Sequence, residues 1–365
     1  MTVTVNRKEL LAAVTTAGKY TEANSVFPCI CIDMTERMSV RSFSCEGAFE
    51  QRIKRVHDEG DCPPFEINAV VLSKLINKSK AEYLTIEMEE NSWVKISDSA
   101  GAIWHVVVRE NNTLLVQQPF KSDAVIIDVK IRHIEAIVRC PPSNEDRRPH
   151  TLGVCLSGKD KAILGTNGNL LIAGKIGDMP DDMNVLIPRK SFKYIPKDMV
   201  VGGSVSIRIS DGEENSLYEI FNKSTTIWGY LMQGSFPDIS DLLSDIGTFD
   251  SVMIDADAMR YAVKQTQGIL DQTSYIGAIV EFNERGFKIQ ATNPEIGELS
   301  TFEVPYKSDV PGISIETAYN PIYILNAITG IKSGDEVNVR IPKDGGSPAS
   351  FIYQDQTTVI MPMKL

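Results

Sequence analysis

Residues 320–341 read N-P-I-Y-I-L-N-A-I-T-G-I-K-S-G-D-E-V-N-V-R-I. A helix-like stretch runs into E-V-N-V-R-I, whose alternation of apolar and polar residues is that of a half-buried antiparallel strand. The same order, helix then strand, occurs at 68–88 (NAVVLSKLINKSKAEYLTIEM) and 188–209 (PRKSFKYIPKDMVVGGSVSIRI), so the starts step by 120 and 132 residues. A second kind of helix follows an opening strand at 6–18, 128–140 and 255–268, in steps of 122 and 127. Self-similarity at a fixed period is the mark of a repeated architecture. The chain reads as three copies of one module: strand, helix, strands, helix, strands. Boundaries near Phe120–Asp123 and Asp245–Thr248 give domains 1–121, 122–246 and 247–365.

Strand signals dominate elsewhere, as in SVSIRIS (204–210), SVMIDA (251–256) and AIVEFNERGFKIQAT (278–292), with turn signals at Asn167-Gly168, Asp211-Gly212, Arg285-Gly286 and Gly345-Gly346. With 42% hydrophobic and 23% charged residues, the 365-residue chain has the composition of a globular protein able to bury real cores. It has no apolar run of transmembrane length, and MTVTVNRKELL lacks the pattern of a signal peptide, so a cytoplasmic location is expected. Six cysteines are too sparse for a disulfide scaffold and are expected as small buried hydrophobes.

The formal charge of −11 argues against nucleic acid if only the sum is read. Its distribution argues otherwise. In 255–270 an apolar stripe of Met259, Ala262, Val263, Thr266, Ile269 and Leu270 leaves Arg260 and Lys264 on another side. Arg132 and Arg139 are set off in the same way from Ile131, Ile134 and Ile137, and Lys74 and Lys78 from Leu72, Leu75 and Ile76. Around Phe192 and Ile195 the charges are Arg189, Lys190, Lys193 and Lys197. Solvated helix faces are normally mixed in sign, and one shared basic surface accounts for these together.

Catalytic signatures are absent: there is no GxSxG, GxxxxGK[ST] or HExxH, and the four histidines have no paired spacing. The residues suggest no catalytic group, metal or cofactor. A hydrolase without a recognisable motif and a self-assembling β-rich structural protein are the rival readings.

Several landmarks fall in order: Thr166-Asn167-Gly168-Asn169-Leu170, Ile187-Pro188-Arg189-Lys190, Ser235-Phe236-Pro237-Asp238, Thr292-Asn293-Pro294-Glu295 and Val359-Ile360-Met361-Pro362-Met363-Lys364-Leu365. With the triplicated module they resemble the bacterial DNA polymerase III beta subunit, the sliding clamp, over the whole chain. Domain 1 departs most, with Phe27-Pro28 where the family often has Leu-Pro and Arg109-Glu110-Asn111-Asn112 in place of a Phe-Pro pair. The resemblance implies an α+β fold of three DNA-clamp modules, each with two helices packed on antiparallel sheets. It also implies a head-to-tail homodimeric ring around duplex DNA. DNA-facing candidates on that basis are Lys74, Lys78, Arg132, Arg139, Arg189, Lys190, Lys193, Arg260, Lys264 and Lys332. Ring closure would set Ile269 and Leu270 against Ile103 or Trp104 of a second copy.

A cleft for short linear peptides of polymerase, clamp loader and repair proteins is implied at Thr166, Gly168, Leu170, Leu171, Pro237, Leu242, Asn320, Tyr323, Phe351, Val359, Met361, Pro362 and Met363. Methionines suit such a surface because they repack around varied ligands. The family usually has Asp-Gly-His-Arg after the threonine, and Asn167-Gly168-Asn169-Leu170 makes this cleft less polar.

Overall fold

The computed structural model describes residues 2–21, 28–35, 38–44, 47–60, 62–89, 92–110, 124–140, 142, 147–210, 216–266, 268–270, 277–293, 295, 297–301, 303–308, 312–342, 344 and 346–364. The linker at 120–123, the Asp211-Gly212 turn, Phe27, Asn111, Asn112, Pro294, Gly345 and Leu365 lie outside them.

Four antiparallel sheets carry the chain. Sheet one runs β5 (Arg55–Glu59), β1 (Thr2–Asn6), β7 (Tyr83–Met88), β8 (Trp93–Asp98), β9 (Ile103–Val107). Sheet two runs β10 (Arg109–Glu110), β6 (Cys62–Asn68), β2 (Cys29–Met34), β3 (Ser39–Ser44), β4 (Gly47–Arg52), β18 (Thr225–Tyr230), β17 (Leu217–Phe221), β16 (Ser204–Ser210), β11 (Val125–Lys130). Sheet three runs β15 (Asn184–Pro188), β12 (Gly153–Ser157), β13 (Ala162–Thr166), β14 (Leu170–Lys175), β27 (Gln356–Ile360), β26 (Ala349–Tyr353), β25 (Glu336–Ile341), β19 (Asp250–Asp255), β23 (Tyr306–Ser308). Sheet four runs β22 (Gly297–Ser300), β21 (Gly286–Asn293), β20 (Ala278–Asn283), β24 (Ile315–Tyr319). The helices are α1 (Arg7–Ala17), α2 (Ala69–Lys78), α3 (Ile131–Val138), α4 (Pro149–Leu152), α5 (Arg189–Lys193), α6 (Ser240–Gly247), α7 (Ala256–Thr266) and α8 (Pro321–Ile328).

The six helices expected from the repeat are present, and α4 and α6 are additions that the periodicity does not announce. Four of the strand-to-helix junctions, those of α1, α2, α7 and α8, carry a side-chain cap, and α3 has none. Asn6 Oδ1 accepts from the backbone of Lys8 at 2.9 Å, Asn68 Oδ1 from Val70 and Val71 at 3.0 Å, Asn320 Oδ1 from Ile322 at 2.9 Å and Asp255 Oδ1 from Ala258 at 2.7 Å. A side-chain acceptor here satisfies amides that have no partner within the helix.

Contacts divide the chain into two units: Met1–Asp128 with Lys190–Leu231, and Val129–Arg189 with Met232–Leu365. The middle third of the sequence is shared between them because its strands hydrogen-bond into its neighbours' sheets. β18 joins β4, with Ile227 opposite Phe49, and β14 joins β27, with Leu171 opposite Val359. In the first unit α1 and α2 bury Leu10, Val14, Leu72 and Ile76. In the second, α3 and α7 bury Ile134, Ile137, Met259 and Val263. Cys31, Cys140 and Cys155 are buried.

Candidate functional site

The second unit holds all thirteen residues expected at the peptide cleft. β13 and β14 are joined by a tight turn in which Gly168 adopts φ +93°, a conformation costly for any residue with a Cβ. Thr166 Oγ1 accepts from the Gly168 amide at 3.0 Å and donates to Leu170 O at 2.8 Å, so the threonine closes its own turn. The chain beyond β27 folds onto that turn. The Met361 amide donates to Asn169 O at 2.9 Å, and the Met363 amide donates to Ala318 O at 2.7 Å. The Asn167 side-chain Nδ2 donates to the Tyr323 hydroxyl on α8 at 3.4 Å.

The candidates divide by burial. Gly168, Pro237 and Met361 are exposed, the last at 41%, while Thr166, Leu242, Tyr323, Pro362 and Met363 are half-buried. Leu170, Leu171, Phe351 and Val359 are 1%, 7%, 4% and 1% exposed and belong to the floor or the core. Leu171 and Val359 share one apolar cluster with Leu164, Leu186, Phe236 and Ile246, against which Leu242 packs. Phe351 sits on β26 opposite Thr358, and Asn320 spends its side chain capping α8, so neither offers a group to a ligand. The surface that remains is the Thr166–Gly168 turn, Pro237, Leu242, Tyr323 and Met361–Met363.

Two neighbours escaped the sequence reading. A Cβ added to Gly168 would meet Arg148 Nη2 at 2.8 Å, so that guanidinium lies on the turn. Ile322, 39% exposed, precedes Tyr323 on α8. The signal for the first was the Arg147-Arg148 pair directly before Pro149, which occupies the start of α4.

Three of the proposed DNA-facing arginines are already engaged by groups of the protein. Arg189 is 8% exposed and donates to Ile137 O (2.7 Å), Cys140 O (2.8 Å) and Thr166 O (2.8 Å). Burial pushes its guanidinium down to about 10, which leaves it charged at neutral pH. Arg260 is paired with Asp257 and donates to Ile328 O (3.0 Å), the last residue of α8, and to Ile331 O (3.3 Å) just past it. Arg132 is held by Asp355 and Gln354. Carbonyls at a helix C-terminus carry partial negative charge and attract a planar cation. Lys74, Lys78, Lys193, Lys264 and Lys332 are exposed, Lys190 is half-buried, and exposed Arg139 stands 3.8 Å from Glu135.

Beside Arg132, His133 is wholly buried, with Nδ1 3.0 Å from Gln356 Oε1. Burial pushes its imidazole down to about 4. An unfolded histidine titrates near ~6.5, so between these values protons favour the unfolded chain. The stability His133 supports is complete above ~6.5 and is lost as pH falls toward 4, at no more than about 1.4 kcal/mol per pH unit. Urea unfolding at pH 7, 6 and 5 measures this loss. His133→Gln is expected to flatten it, and an unaltered slope in that variant would assign it to other groups.

The expected interface residues lie at surfaces of their own units. Ile103 is 55% exposed and Trp104 half-buried on β9, the edge of sheet one, beside exposed Trp93 and Val107. Ile269 and Leu270, both half-buried, follow α7 and donate their amides to Thr266 O at 3.1 Å.

No protein-family profile and no curated protein sequence matches this chain. Solved structures do. The beta subunit of DNA polymerase III from Thermotoga maritima superposes with a TM-score of 0.81 at 17% identity, over 100% of this chain and 99% of that one. The Helicobacter pylori beta clamp bound to a DNA ligase peptide matches with a TM-score of 0.80 at 15% identity, over all of both chains. A sliding clamp from Pseudomonas aeruginosa bound to griselimycin gives 0.80 at 19%, again over all of both chains. The fold is therefore that of the bacterial beta clamps, from end to end. Among the described residues no helix is long and apolar enough to cross a membrane.

Proposed function

We propose that this chain is a DNA sliding clamp, a non-catalytic processivity factor acting in the cytoplasm. The observation that carries the reading is the fold likeness over 100% of this chain and 99% of the Thermotoga maritima subunit. Three modules, 1–121, 122–246 and 247–365, would pair head-to-tail with those of a second copy around duplex DNA. Sequence-independent attraction would come from exposed lysines, Lys74, Lys78, Lys193, Lys264 and Lys332, acting on phosphates alone, which leaves the ring able to slide. Exposed apolar residues on β9 support closure there, with Ile103 and Trp104 meeting Ile269 and Leu270 of the other copy.

Topological retention tests the reading. The protein, loaded on nicked circular DNA, should stay bound at salt that strips ordinary contacts and should leave when the circle is cut. Ile269→Ala combined with Leu270→Ala should abolish retention and shift the sedimenting species to monomer. Retention that survives linearisation would refute a ring.

The cleft of the second unit would tether replicative polymerase, clamp loader and repair proteins by short peptides, much as the Helicobacter pylori clamp is bound to a DNA ligase peptide and the Pseudomonas aeruginosa clamp to griselimycin. Tyr323→Ala and Met363→Ala should each weaken a polymerase-tail peptide by roughly tenfold, about 1.4 kcal/mol, as anchors of an apolar pocket do. Isothermal titration reads this, and unchanged affinity in both variants would remove the cleft from those residues.

A further inference from the structure

In each repeat the opening strand runs straight into the first helix: β1 into α1, β11 into α3 and β19 into α7. Beyond β1 its sheet adds β5, and beyond β19 its sheet adds β23. These added strands come from the connections between β4 and β6 and between β22 and β24. The corresponding connection of the middle repeat, residues 176–183 between β14 and β15, forms no strand. It is tied within its own unit, where Lys161 Nζ donates to Met179 O and to Asp181, each at 2.5 Å. Among the described residues β11 therefore ends sheet two with β16 on one side and no strand on the other.

The register says what the missing strand would meet. Thr4, Asp128 and Met253 each stand three residues before the first residue of the following helix. His57 of β5 lies opposite Thr4, and Lys307 of β23 lies opposite Met253. The middle repeat places an acid at this position, and no strand among the described residues faces it. Asp128 is exposed and accepts from Ser206 Oγ at 2.7 Å. Ile126, on the same face, is 55% exposed. A groove of about 570 Å³ starts at Asp128 and Ser206 and is lined further by Met199, Val201, Phe221 and Lys223, with room for a long aliphatic stem.

We propose that the free edge of β11 takes an extended peptide of a partner protein by antiparallel strand addition. Its Lys or Arg faces Asp128, and an apolar residue two positions further on covers Ile126. Unpaired edge amides and carbonyls supply the affinity. Residues directly opposite across an antiparallel pair approach to ~5 Å, close enough for the charge to select the sequence. The surface belongs to the first unit and is separate from the peptide cleft, so its test does not depend on ring function.

A synthetic probe, Glu-Val-Pro-Tyr-Lys-Ser-Ile, carries residues 303–308 of this chain plus one isoleucine placed two positions after the lysine. Hydrogen exchange of the full-length protein is followed with and without the probe at millimolar concentration. Amides of 125–128 should slow on its addition. Glu in place of the probe's Lys should weaken binding about two- to fivefold. Asp128→Lys in the protein should invert that preference. The proposal is overturned by unchanged exchange at 125–128, or by an effect of the probe that ignores both charge changes. It is equally overturned if these amides are already slow in the free protein at every concentration, which would mean the chain covers its own edge. Slowing that tracks protein concentration without the probe would assign the edge to a second copy and overturn it as well.

Discussion

Arg189→Met is expected to cost about 3–5 kcal/mol of stability, since each buried carbonyl that loses its charged donor costs about 1–3 kcal/mol. The guanidinium spans three carbonyls: Ile137 O, which also accepts from the Cys140 amide at 3.1 Å, Cys140 O just past the end of α3, and Thr166 O at the head of the cleft turn. Methionine fills similar volume but donates nothing. Lysine is not expected to rescue, because one ammonium on a flexible stem lacks the planar fork that reaches all three. Urea denaturation of the full chain reads the loss. Because Thr166 O is one of the three acceptors, peptide affinity should fall with it, whereas a loss under about 1 kcal/mol would mean that water replaces the arginine at little cost.

Gly165→Ala and Gly174→Ala should each destabilise by about 1–3 kcal/mol, the usual penalty of overpacking. α3 lies on bare backbone at these two places. A Cβ on Gly165 would come 2.3 Å from Ile137 Cγ2, and one on Gly174 would come 2.3 Å from the His133 ring. His133 and Ile137 are one helical turn apart, so the two glycines form a seat for a single helix face. Because the clash is pairwise, Gly174→Ala combined with His133→Ala should recover part of the loss. Strictly additive losses would show that the helix does not rest there.

Much of this was legible before any coordinates. Strand alternation and amphipathic stripes depend only on the periods of 2 and 3.6, which survive when identity does not. Helices at 6–18, 128–140 and 255–268 were expected, and α1, α3 and α7 span 7–17, 131–138 and 256–266. The Asn167-Gly168 turn has its positive φ, and Val359 and Ile360 close the last strand. The short helices α4 and α6 were missed, since one or two turns carry too few positions to establish a period.

The sequence by itself determined the three strand-into-helix starts, because local propensity, capping and alternation act within a few residues. Only the tertiary structure decided which cations face solvent. Arg132, Arg189 and Arg260 read as basic surface on a helical wheel, yet, Asp257 beside Arg260 apart, each is engaged by carbonyls or carboxylates from residues 23 to 223 positions away. It also decided that Leu170, Leu171 and Val359 form a floor while Met361 and Tyr323 offer the surface. The physical reason is the same in both cases. A side chain's face is set by its own backbone, but its partners are set by where distant strands pair, and no local pattern encodes that register.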